Sequence, residues 1–201
     1  MHPVAQDVLL RLRDARTEPD AFRQMAHRLS LLLAIEATRD LPTETRTVET
    51  PLGSATGESV AGNVVVVPVL RAGLGMLPAV LEVVPTARVG HVGLQRDEET
   101  AVASQYYAKF PTGLEDAYVL LVDPMLATGG SAVAALDLLR SLGAHDVRLL
   151  CIVAAPDGVD EVESHHPDVH IYTPIVDSGL NAQKFIIPGL GDFGDRLYGT
   201  A

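Results

Sequence analysis

The chain has 201 residues, 47% of them hydrophobic and 20% charged, with a mean hydropathy of +0.20 and a formal net charge of −11. That length fits a single domain, residues 1–201, with a sizeable core. The charge argues against a broad nucleic-acid footprint, and no apolar run is long enough to span a bilayer. The apolar content points to buried surface beyond the core, such as the interface of a homodimer or higher homo-oligomer. An anionic substrate in so negative a protein needs a few placed Arg residues, backbone dipoles and a metal ion.

The run Met1-His2-Pro3-Val4-Ala5-Gln6-Asp7 does not read as a secretion signal, so the cytoplasm is the expected compartment. Thr17-Glu18-Pro19-Asp20 reads as a helix start, with a hydroxyl cap and an acid three residues on. The helix runs through Phe22, Met25, Leu29, Leu32 and Leu33 to about Thr38, short of Pro42. Residues 43–62 are polar and read as short strands and turns. Residues 64–70 are a continuous apolar run, the mark of a central parallel strand. That strand ends in Arg71-Ala72-Gly73-Leu74-Gly75-Met76. An Arg there can bind two phosphate oxygens with its fork while the small residues let backbone approach the anion. An exposed Arg at an ordinary helix start is the plainer reading of these residues alone.

Residues 72–84 read as a helix, 87–94 as a strand, and 95–116 as polar and irregular. Residues 118–122 read as a buried strand and 132–140 as a helix. Between them lies Asp123-Pro124-Met125-Leu126-Ala127-Thr128-Gly129-Gly130-Ser131. Such a turn can aim several backbone N–H groups at one point, where the helix dipole also favours an anion. The hydroxyls add donors, and the acid upstream can hold sugar hydroxyls or a hydrated metal. Phosphate, sugar and metal together point to a phosphorylated ribose.

Residues 147–154 read as another buried strand, 157–165 as a helix and 169–176 as a further strand. Cys151 stands alone in an apolar run and reads as a core thiol. His165-His166 has no ligand pattern and reads as a solvated helix end. The C-terminal run from Phe185 to Thr200 is rich in Gly and includes Pro188, which predicts shaped, irregular backbone rather than a helix. Backbone there can read a planar ring edge, with carbonyls accepting and N–H groups donating. Strand and helix alternate, so the expected fold class is α/β, a parallel sheet covered by helices on both faces. Ligands in such sheets bind at the carboxyl ends of strands, near a topological switch point.

The string from Asp123 to Ser131 resembles the 5-phosphoribosyl-1-pyrophosphate loop of type I phosphoribosyltransferases, in the form of the uracil phosphoribosyltransferase family. The segment Val69-Leu70-Arg71-Ala72-Gly73-Leu74-Gly75-Met76 resembles that family's pyrophosphate loop, and the run from Phe185 to Thr200 its C-terminal signature. The similarity extends through Glu36-Ala37-Thr38-Arg39-Asp40-Leu41-Pro42 and Val48-Glu49-Thr50-Pro51, from about residue 20 to the end. It implies transfer of 5-phosphoribosyl to uracil N1, giving UMP and diphosphate, with Mg²⁺ bound mainly through substrate and water. It implies no nucleic-acid or membrane partner, and a small hood made by the C-terminal and other segments.

On that resemblance Arg71 and Arg96 hold the diphosphate, Asp123 the ribose hydroxyls, and Pro124 to Ser131 the donor, with Thr128 to Ser131 on its 5-phosphate. Ile186, Gly191, Asp192 and Phe193 hold uracil, with Asp192 also close to the diphosphate–metal assembly. The region 100–112, with Tyr106, Tyr107 and Lys109, resembles a loop that closes over the site. A cis peptide beside Arg71 and activation by GTP are features of some relatives. The family's Asn-Glu-x-Gly-Tyr is here Asn181-Ala182-Gln183-Lys184-Phe185, and Phe193 stands where many bacterial relatives have Ala. The alternative is a pyrimidine-sensing regulator of the same fold that binds RNA, which the net charge opposes.

Overall fold

The computed structural model of the chain describes residues 2–96 and 103–200, without the side chains of residues 95, 96, 103 and 104. Helix α1 (Pro3–Arg13), absent from the expected elements, opens the chain. His2 Nδ1 accepts from the Val4 amide at 3.2 Å, and Pro3 supplies a first helical residue with no N–H to satisfy. Helix α2 (Pro19–Ala37) follows, with Glu18 at the cap position and no side-chain cap. The expected Thr17 cap is therefore corrected: its hydroxyl donates to the Arg11 carbonyl at 2.6 Å and closes the α1–α2 turn. Strands β1 (Thr43–Thr50) and β2 (Gly53–Val60) form a hairpin in register from Thr43↔Val60 to Thr50↔Gly53, almost wholly exposed.

Strand β3 (Asn63–Leu70) leads into a 3₁₀ turn (Ala72–Gly75) and helix α3 (Leu77–Val83), so the helix expected over 72–84 is broken in two. The strand expected over 87–94 divides at Gly90 into β4 (Arg88–Val89) and β5 (His91–Arg96). Within the region read as irregular, β6 (Ala103–Lys109) pairs antiparallel with β5. Its sequence, Ala-Ser-Gln-Tyr-Tyr-Ala-Lys, has no inside–outside alternation because it is an edge strand whose described residues are exposed; the ladder with β5 holds it.

Next come β7 (Ala117–Val122), β8 (Met125–Leu126), α4 (Gly130–Ser141) and β9 (Asp146–Leu150). Then follow β10 (Val153–Ala154), α5 (Pro156–His165), β11 (His170–Tyr172), β12 (Gly179–Leu180), β13 (Ile186–Ile187) and α6 (Phe193–Tyr198). The last corrects the expectation of a helix-free C-terminal run: Asp192 caps a short helix there and Gly199, at φ +68°, ends it. The reading of His165-His166 is also corrected. His165 is exposed, but His166 is buried, its Nε2 3.2 Å from Asp137 Oδ1.

The main sheet runs in the order β11-β9-β7-β3-β5-β6, with β4 also beside β3; all pairs are parallel except β5–β6. Successive residues of β3 alternate between two cores. Val64 and Val66 pack with α1, α2, α3 and α6, through residues such as Phe22, Leu29, Val80 and Leu197. Val65, Val67 and Val69 pack with α4 and α5, through Leu136, Leu139 and Val162. Both faces are covered, which is why the strand is apolar from residue 64 to residue 70. From β3 the chain winds outward to β5 and β6, then returns to β7 on the other side of β3 and winds outward to β9 and β11. The order reverses between β3 and β7, so a crevice opens at the carboxyl ends of those two strands.

Candidate active site

Arg71 stands at the carboxyl end of β3, after a cis Leu70–Arg71 peptide bond. Its side chain is exposed and makes no hydrogen bond or ion pair among the described residues. The following turn lies hard against the end of β7: a Cβ on Gly73 would collide with the Val122 carbonyl oxygen and stand 3.2 Å from Pro68. Only glycine permits that approach, which brings the Arg71 turn beside the residue preceding Asp123. Tyr198 of α6, which sequence reasoning left unassigned, donates its hydroxyl to the Arg71 carbonyl at 3.2 Å and props the turn from the other side.

Asp123 follows β7, its amide bonded to the Leu150 carbonyl at 3.1 Å. Burial strips water from its carboxyl, and the Met125 amide, 3.4 Å from Oδ1, compensates little; the pKa rises to about 6. Cys151 is fully buried, as expected of a core thiol; burial, and then the charge of Asp123, push its pKa up. Past Asp123 the chain is stitched to β10. The Pro124 carbonyl accepts from the Ile152 and Val153 amides at 3.0 and 3.1 Å, and the Leu126 carbonyl from Ala155 at 2.8 Å. Gly129, at φ +83°, turns the chain into α4 where a Cβ would lie 2.7 Å from Glu161 of α5. The first intrahelical bond is Val133 N–H to Gly129 carbonyl, leaving the Gly130, Ser131 and Ala132 amides without an intrahelical acceptor.

Asp123, Met125, Leu126, Ala127, Thr128, Gly129, Ser131 and Ala132 together line a small cleft of about 50 Å³. It matches the expected loop except that Pro124 is buried behind it and Gly130 lies off its wall. A larger concavity of about 470 Å³ lies elsewhere, lined by Arg23, His27, Arg28, Pro78 and Tyr198 among others, and none of the loop residues reaches it.

The residues expected to hold uracil are split. Ile186 is buried in β13, which pairs with β12, and is followed by a cis Ile187–Pro188 bond. Gly191 and Asp192 are exposed, and Asp192 Oδ1 accepts from the Asp195 amide at 2.9 Å as the cap of α6. Phe193 is 2% exposed, its ring edge-on to Phe22 with centroids 5.1 Å apart, so its side chain belongs to the core and only its backbone is left for a ligand. Lys184 takes φ +67°, the one positive-φ non-glycine among the described residues. That is the left-handed conformation glycine adopts without strain, and Asn181 Oδ1 accepts from the Gln183 and Phe185 amides at 3.0 and 2.9 Å.

Tyr106, Tyr107 and Lys109, expected on a closing loop, sit exposed on β6. Arg96 is the last residue of β5, its side chain outside the described residues, as are residues 97–102. Among the described residues no three His, Cys, Asp or Glu side chains gather into a metal cage. An ion at this crevice would be held through substrate oxygens and water, which suits the hard, hydrated character of magnesium.

The chain is 50% identical to the uracil phosphoribosyltransferase of Bacillus licheniformis over 99% of its own length and 96% of the relative's. It is 48% identical to that of Dictyoglomus thermophilum, over 99% and 97%. The solved AQ2163 protein from Aquifex aeolicus superposes with a TM-score of 0.95 at 37% identity, covering 100% of this chain and 97% of that one. A purine phosphoribosyltransferase from Pyrococcus horikoshii shares the fold alone, with a TM-score of 0.51 at 15% identity over 79% of this chain and 93% of that one. The family model described as uracil phosphoribosyltransferase matches residues 1–200, so the chain belongs to the uracil phosphoribosyltransferase family.

Proposed function

We propose that the crevice between β3 and β7 is where this chain performs its family's reaction, the transfer of a 5-phosphoribosyl group from 5-phosphoribosyl-1-pyrophosphate to N1 of uracil, giving UMP and diphosphate. One observation carries the assignment: Arg71 and Asp123 leave the carboxyl ends of the two strands that flank the topological switch point, with an open helix N-terminus beside Asp123. The amides of α4's first turn and the Ser131 hydroxyl hold the 5-phosphate. The Asp123 carboxylate accepts from the ribose hydroxyls. Arg71, with Arg96, binds the departing diphosphate, where charge builds as the bond at ribose C1 breaks. Magnesium, when bound, would supply further positive charge to that diphosphate, and Asp192 is the acid assigned to that assembly.

The backbone of Ile186 and of Gly191 to Phe193 holds uracil; cytosine would leave a carbonyl unpaired and set an amino group against a donor. No residue of the chain needs to act as a nucleophile, so catalysis is positioning and charge stabilisation. No helix among the described residues is long and apolar enough to cross a membrane. We place the enzyme in the cytoplasm as a homodimer or higher homo-oligomer, with no nucleic-acid partner. The test is a panel of uracil, cytosine, hypoxanthine and adenine, each supplied with 5-phosphoribosyl-1-pyrophosphate and Mg²⁺. UMP formation with uracil alone is expected; comparable turnover of a second base would overturn the assignment of the C-terminal segment.

A further inference from the structure

Arg13, the last residue of α1, and Asp177, between β11 and β12, meet across 164 residues of sequence in a two-pronged ion pair. Arg13 Nη1 lies 2.9 Å from Asp177 Oδ2 and Nη2 2.7 Å from Oδ1; the Asp177 side chain is 4% exposed. The pair also holds one further residue. Arg13 Nη1 also donates to the Gly189 carbonyl at 3.2 Å, and the Gly189 amide donates to Asp177 Oδ2 at 2.9 Å. Both polar groups of Gly189 are thus held by the pair.

The neighbouring backbone is held in the same way. The Ser178 amide and hydroxyl donate to the Ile187 carbonyl at 3.1 and 2.7 Å. Arg196 Nη1 donates to the Leu190 carbonyl at 2.9 Å, and Nη2 to the Asp14 carbonyl, one residue past Arg13, at 2.7 Å. The Asp177 amide donates to the Ala154 carbonyl at 2.8 Å, so the clasp is tied to β10, the strand that pairs with β8 in the phosphate loop. The amides of Gly191 and Asp192 make no hydrogen bond among the described residues. The clasp and its neighbours therefore hold both polar groups of Gly189 and the carbonyls of Ile187 and Leu190, and leave the amides of Gly191 and Asp192 open.

We infer that Arg13 and Asp177 are positioning residues for base recognition, their ion pair setting the pose of Gly189 and so the angle at which the following backbone meets the pyrimidine. The inference rests on the reading of residues 186–193 as the uracil site. A buried ion pair adds little net stability over an apolar contact of the same shape, whereas its fixed geometry defines direction. A peptide that discriminates by hydrogen bonds needs that direction, since small misplacements weaken such contacts steeply.

The experiment uses the full chain with Arg13→Ala, Arg13→Lys and Asp177→Asn, measuring KM for uracil and for the phosphoribosyl donor separately, beside thermal melting. Arg13→Ala and Asp177→Asn are expected to raise the uracil KM by about tenfold or more and leave the donor KM within about twofold. Arg13→Lys should recover only part of the loss, because an ammonium cannot span two carboxylate oxygens and a carbonyl in one plane. Both KM values rising together in step with lost melting temperature, or neither moving, would overturn the inference. Amide exchange of residues 186–193 with UMP against ribose 5-phosphate separates the two possible failures. Protection that needs the base, with an unmoved uracil KM in the Arg13 variants, rejects only the positioning role; protection equal with both ligands rejects the uracil site itself and the inference with it.

Discussion

Asp123→Asn tests the site through stability and activity at once. The folded protein raises this carboxyl from 3.8 to about 6 because it is enclosed at the end of β7 with one long hydrogen bond, from the Met125 amide. Between those pH values the native state holds a proton that the unfolded chain has released, so the native state binds more protons and stability falls as pH rises through the window. At about 1.4 kcal/mol per pH unit, the penalty reaches about 3 kcal/mol above pH 6. The residue opens partly to the cleft, and an amide adds two N–H donors with no evident acceptor, so the variant's gain at pH 7.5 should be about 2 kcal/mol. Below about pH 4 the gain should vanish, because the carboxyl is then neutral in both states. Urea denaturation of wild type and variant, compared at pH 4 and 7.5, measures the difference directly. The variant should also lose most of its use of the phosphoribosyl donor, a trade of stability against function expected where a carboxylate is kept desolvated for a ligand. In the wild type, kcat/KM for the donor should fall as pH drops below about 6, and that limb should be missing from the variant's residual activity. A stability difference that is flat with pH, or a variant weaker at both values, would refute the desolvation argument.

Arg71→Ala should fold normally, since its side chain is exposed and unpaired among the described residues, and lose about a hundredfold in turnover; near-wild-type kinetics would remove it from the site. Lys184→Gly should stabilise by about 0.5–1 kcal/mol, because φ +67° costs a side chain more than it costs glycine; a lower urea midpoint would show the strain argument to be wrong. Phe193→Ala should destabilise by about 3 kcal/mol through the cavity left beside Phe22, yet still reject cytosine, because the ring packs in the core. Competition between uracil and cytosine on that variant decides the point: turnover of cytosine would make the ring the selector.

The elements legible in the sequence are those whose signal is local. The valine run of β3, the strand before Asp123 and the periodic face of α2 each state their burial in adjacent residues, and each lies where expected. The small, hydroxyl-bearing turn at 127–131 likewise leads into a helix N-terminus as its residues imply, the arrangement that suits an anion. Tertiary structure decided the rest. The ladder with β5, rather than any alternation of its own, makes 103–109 a strand; packing against Phe22 of α2, rather than a motif, takes the Phe193 ring into the core. The approach of Gly73 to Val122, the Tyr198 prop on the Arg71 carbonyl and the Arg13–Asp177 clasp join residues far apart in the chain. By itself the sequence marked the central strands, the long helix α2 and the turn whose chemistry suits a phosphate. How those turns are aimed at one another was settled only when the sheet order brought β3 and β7 together, because side-chain pattern records what a residue buries and not which distant residue it meets.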